Sequence, residues 1–166
     1  MSTPVITDDQ ATITTLLAPL AEVDDRGVYF EDTFVSWRDH IAAGSQLAAA
    51  LWARLGPDRP PHVGVLAGNT PFFSTLLVAA ALTGVVPVGL NPTRRGAALQ
   101  RDIAHADCQL VLTDGTAGVE IADAIDVESP SWASELAGYA GAPVSFRDAD
   151  PDDLFMLIFT SGTSGD

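Results

Sequence analysis

Lysine is absent from all 166 residues, so the eight basic side chains are all arginine, set against 22 acids for a formal net charge of -14. A surface this acidic offers no basic face to nucleic acid or to an anionic membrane. The missing lysine also excludes a Walker A loop, whose lysine reaches the nucleotide phosphates. Cysteine occurs once, at Cys108, which rules out an internal disulfide and favours a reducing compartment. Placed just before the apolar run Leu110-Val111-Leu112, it reads as a small core residue rather than a nucleophile. Long apolar runs are missing too. The most hydrophobic region, residues 72–88, is cut by Gly84 and Pro87 and is too short for a membrane span. The first nine residues carry no basic or long apolar segment, so no signal peptide is read there, and a soluble, cytoplasmic chain is expected. His40, His62 and His105 share no metal-ligand spacing.

What is present is the composition of a globular domain, 47% hydrophobic with a mean hydropathy of +0.22. Residues 13–20 form a short apolar helix candidate broken by Pro19. The β-rich runs Gly27 to Phe30 and Thr33 to Val35 flank Glu31-Asp32 and read as a hairpin. Ser36 is a helix N-cap with Asp39 three residues on, and the helix it opens carries Ile41, Ala48, Leu51, Trp52 and Leu55 on one stripe before Gly56-Pro57. Residues 1–61 are read as this hairpin-and-helix segment, and residues 62–166 as an α/β core. In that core, apolar runs at residues 63–66, 85–88 and 109–112 alternate with helices at 72–83 and 94–105, the first opened by Pro71 and capped by Thr70 or Asn69. A β-α-β-α-β run with short connections predicts a parallel sheet with right-handed crossovers. Further on, residues 124–127 are a strand candidate and Ser129-Pro130 opens a helix toward Tyr139. Asp114 to Gly118 lacks the spacing of a dinucleotide loop and reads as a surface turn, and the acids of residues 148–153 as a solvated loop.

The last stretch carries the chemistry. Leu154 to Phe159 is an unbroken apolar run expected to be a buried strand, and it leads into Thr160, Ser161, Gly162, Thr163, Ser164 and Gly165, four hydroxyls and two glycines in six positions. Glycines let backbone N–H groups close around an anion, and hydroxyls add donors without positive charge. A serine- and glycine-rich flexible tail has the same composition. The order of residues after an Ile-Phe strand closely resembles the phosphate loop of the adenylate-forming (AMP-binding) superfamily, which contains acyl-CoA synthetases, peptide-synthetase adenylation domains and luciferases. Ala81-Leu82-Thr83-Gly84-Val85-Val86-Pro87-Val88-Gly89-Leu90-Asn91-Pro92 is similar to the second core motif of the same family. The hairpin leading into Ser36-Trp37 and the Gly64 to Asn69 strand end are also similar to fatty-acyl-CoA synthetases. Within the superfamily the chain looks like the N-terminal portion of a bacterial fatty-acid–CoA ligase.

The resemblance implies an α/β fold, a partial N-terminal subdomain with a mainly parallel sheet, flanking helices and an N-terminal hairpin. It implies ATP, Mg2+ and coenzyme A as reactants and a fatty acid as substrate, with Thr160 to Gly165 binding the β- and γ-phosphates. The family's motif runs on into a proline and a lysine, and its adenine, ribose, metal and acyl-binding segments follow, none of which this sequence reaches. The 166 residues by themselves are therefore expected to make no acyl-adenylate, and the apolar strand at 154–159 to expose a flank that favours self-association. A non-catalytic protein, either a truncated gene product or a piece that acts by association with a complementary chain, is the second class that fits, and an unrelated doubly wound binding domain with a polar tail the third.

Overall fold

The computed structural model describes residues 11–159. Helix α1 (Ile13–Leu17) is capped by Thr12, whose hydroxyl accepts the Thr15 N–H, and a 3-10 turn over Ala18–Leu20 follows where Pro19 interrupts the helix. Strands β1 (Gly27–Phe30) and β2 (Thr33–Ser36) then form the antiparallel hairpin, with Tyr29 paired across from Phe34. Ser36 opens α2 (Trp37–Trp52) as read from the sequence: its hydroxyl accepts the Asp39 N–H at 3.1 Å and donates to the Asp39 carboxylate at 2.9 Å. Two expectations for this helix fail. It ends at Trp52 rather than at Gly56, and Trp52 is 42% exposed instead of lying on the buried stripe with Ile41, Ala48 and Leu51. Leu51 in the same turn is buried against Val63 and Val65, so Trp52, one position on, points away from that contact.

The second sheet comprises, among the described residues, β3 (His62–Leu66), β4 (Val86–Gly89), β5 (Leu110–Thr113), β6 (Ile125–Asp126) and β7 (Leu157–Ile158). Their order is β6-β5-β3-β4-β7 and every pairing is parallel. The crossovers run through α3 (Pro71–Thr83) and α4 (Gly96–His105), and α5 (Pro130–Ala137) follows β6. Alternation along β3 divides the core. Val63 and Val65 pack with α2, α3 and Trp132 of α5 on one face, whereas Leu66 joins Val88, Val111 and Leu99 of α4 on the other. A third cluster, Leu17, Ile41, Val78, Ala81 and Leu82, closes the far side of α3, so this helix is covered on both sides, as its nearly continuous apolar sequence requires.

Two glycines permit close approaches. A Cβ at Gly44 of α2 would stand 2.4 Å from Val78 Cγ1 of α3, so the two helices meet where a side chain is missing. Gly84 ends α3 at φ 79°, and the Arg147 guanidinium lies against its bare Cα.

Three further expectations are corrected. Helix α4 starts at Gly96, two residues later than read, because the Asn91 side chain accepts the Thr93 N–H at 2.9 Å and holds a turn there. Thr70 occupies the N-cap of α3 but makes no capping bond, and its hydroxyl is enclosed without a partner. The final apolar run is not a fully buried strand of six residues. Only Leu157–Ile158 pairs, with β4 alone, and Leu154 and Ile158 are 50% and 63% exposed. An edge strand has a neighbour on one side only, and Leu154 precedes the paired segment.

Candidate functional site

Strand β7 matters through its direction. It runs parallel to β4, with Leu157 across from Val88 and Ile158 across from Gly89, and the Phe159 N–H donates to the Gly89 carbonyl at 3.0 Å. The described chain thus ends, at Phe159, on the carboxyl-end side of the parallel strands. Thr160, Ser161, Gly162, Thr163, Ser164 and Gly165 themselves lie outside the described residues.

The described loops at this end form a crevice. From β3 the chain crosses over α3 to β4 on one side; from β4 it crosses back over α4 to β5 on the other side of β3, with α3 and α4 on opposite faces. The loops after β3 and β4 therefore diverge, the topological switch point at which open parallel sheets leave room for ligands. A cavity of about 200 Å³ lies there, lined by Leu66 at the end of β3, Ala67 and Gly68 after it, Leu90 and Pro92 after β4, and Thr116 after β5.

Two side chains hold the rim. The Asp114 carboxylate accepts the Gly68 N–H at 2.7 Å and, through its other oxygen, the Thr116 N–H and hydroxyl at 2.9 and 2.6 Å. Burial, the largest single influence on Asp114, pushes its pKa up, but the hydrogen bonds from the Thr116 hydroxyl and from the Gly68 and Thr116 N–H groups together outweigh it and hold the carboxyl below its ordinary value. Arg95 donates to the Pro92 carbonyl at 2.6 Å and to the Ala117 carbonyl at 3.1 Å, tying the loop after β4 to the loop after β5. Arg94 faces Asp102 at 3.5 Å. Sequence reasoning saw Asp114 to Gly118 as a surface turn and missed its tie to Gly68. The Asp-x-Thr pattern signals the local turn, but nothing in it names a partner 46 positions upstream.

Other candidate groups sit elsewhere. Cys108 is half-buried, and burial, with Asp107 adding to it, pushes its thiol up to about 11, which suits the core role read from the sequence. The acids after Arg147 are engaged locally: Asp153 pairs with Arg147 and accepts the Asp150 N–H at 2.9 Å, and Asp150 accepts the Asp152 N–H at 2.9 Å. Among the described residues no three His, Cys, Asp or Glu side chains are grouped to hold a metal ion. No described helix is long and apolar enough to cross a membrane.

Comparison with known proteins places this architecture. A medium/long-chain-fatty-acid–CoA ligase of Mycobacterium tuberculosis is 63% identical over 164 residues, covering 97% of this chain and 32% of that protein. A steroid-22-oyl-CoA synthetase of Rhodococcus jostii is 40% identical over 153 residues, covering 86% of this chain and 27% of that protein. The chain thus spans about a third of the length of these curated relatives. Among solved structures, VinN is 24% identical with a TM-score of 0.73 over 92% of this chain and 42% of that one. The NpsA N-terminal subdomain of Klebsiella oxytoca, in complex with anthranilyl-AMSN, is 16% identical with a TM-score of 0.68 over 93% of this chain and 39% of that one. At these identities the likeness to both structures is one of fold. The AMP-binding enzyme family matches residues 20–166, nearly the whole sequence, and the chain belongs to that family.

Proposed function

We propose that this chain is the portion of an ATP-dependent fatty-acid–CoA ligase that carries the phosphate loop. The supporting observation is the parallel pairing of β7 with β4, which ends the described chain at Phe159 on the carboxyl-end side of the sheet, the side on which the switch-point crevice opens. Membership of the AMP-binding family and the high identity to a fatty-acid–CoA ligase supply the reaction class. In the proposed reaction a fatty-acid carboxylate attacks the α-phosphorus of ATP, giving acyl-adenylate and pyrophosphate. The thiol of coenzyme A then attacks the acyl carbon and releases AMP. Thr160, Ser161, Thr163 and Ser164 offer hydroxyl donors, and Gly162 and Gly165 close-approaching backbone, to the β- and γ-phosphates that leave. Magnesium would arrive with ATP. Among the described residues no three His, Cys, Asp or Glu side chains are grouped to hold it. The reaction is assigned to the cytoplasm, where ATP, coenzyme A and a reduced Cys108 coexist.

The 166 residues alone are proposed to make no acyl-adenylate. Their charge of -14 opposes a polyanionic nucleotide, and no lysine offsets it. The test compares two proteins: this chain, and a chain extended to the length of the curated relatives by their remaining segments. Both are incubated with fatty acids of graded length, ATP and magnesium while pyrophosphate release is followed. Release from the extended chain alone is expected. Turnover by the 166 residues above a heat-killed control would end the claim of inactivity, and none from the extended chain would end the ligase reading.

One observation favours the second reading, a chain that acts by association. Among the described residues no strand pairs with the outer edge of β7, where Leu154 and Ile158 are exposed. Sedimentation of the 166 residues should then show self-association that Ile158→Lys abolishes. A concentration-independent monomer would remove this reading.

A further inference from the structure

We draw no further inference here: the strongest candidate, the cavity of about 210 Å³ between α1, the end of α3 and residues 147–155, carries nothing because its cation, Arg147, is already paired with Asp153 and nothing in the structure shows what fills it.

Discussion

The Asp114 carboxylate accepts the Gly68 N–H at 2.7 Å, fastening the loop after β5 to the loop after β3 beside the crevice. Three hydrogen bonds converge on this one group. Bonds to a charged acceptor each contribute about 1.5–3 kcal/mol. The two bonds from Thr116 are exposed and local and exchange for water on truncation, so Asp114→Ala should lower stability by about 2–3 kcal/mol, chiefly through the part-buried Gly68 bond it breaks. The sign of the pH effect follows from the depressed folded-state pKa. The carboxylate's contribution is complete above the ordinary value of 3.8 and is lost as pH falls through and below it. Urea titrations of the wild-type chain and of Asp114→Asn, which keeps the shape without the charge, at acidic and neutral pH check this. An equal loss of stability on acidification in both proteins would show that the ion is not what holds the rim.

A second prediction concerns the contact of α2 with α3. Gly44→Ala gains about 1 kcal/mol of helix propensity, yet its Cβ would stand 2.4 Å from Val78 Cγ1 in a buried seam. Val78 is β-branched and cannot swing aside cheaply. Overpacking of this kind costs about 1–3 kcal/mol, so the variant should be less stable, and Val78→Ala in the same chain should restore part of the loss. Chemical denaturation measures both. A Gly44→Ala chain more stable than wild type would mean the helices can separate freely.

Histidine 40 makes stability depend on pH near neutrality. It is 4% exposed, its Nε2 lies 2.9 Å from the Ser74 hydroxyl, and the Trp37 ring stands edge-on at 6.0 Å. Burial lowers its pKa from the ordinary 6.5. The unfolded chain then binds more protons than the folded one in this range, so stability falls as pH drops below 6.5. Melting curves from about pH 7 to about pH 5 should show a shallower decline for His40→Gln than for wild type. Identical slopes would place the titrating group elsewhere.

In the loop, Thr163→Val keeps the side-chain shape and removes one hydroxyl donor. If that hydroxyl donates to a charged phosphate oxygen, the loss is about 1.5–3 kcal/mol, or roughly 10- to 150-fold in rate. ATP–pyrophosphate exchange by the chain extended to its relatives' length is the assay. An unchanged rate would move the phosphate contact to another loop residue.

Much of the fold was legible in the sequence because its signals are short-range. Pro71 and Gly84 mark the ends of α3, Ser36 and Asp39 cap α2, and the apolar runs at β3, β4 and β5 have strand length, each set within a few residues by φ restriction, hydroxyl capping or side-chain period. For Thr160 to Gly165 composition fits a flexible tail equally well, so the phosphate reading rests on the family resemblance and lies outside the described residues. What needed the tertiary structure joins residues far apart in the chain. The order β6-β5-β3-β4-β7 decides that the last strand lies beside β4 and that the crevice falls between β3 and β4. The tie of Asp114 to Gly68, the seat of Val78 on Gly44 and the exposure of Trp52, Leu154 and Ile158 depend in the same way on which surfaces the packed elements cover. A hydrogen-bond donor or an apolar face shows locally in the residues that carry it, but its partner is chosen only when distant segments meet.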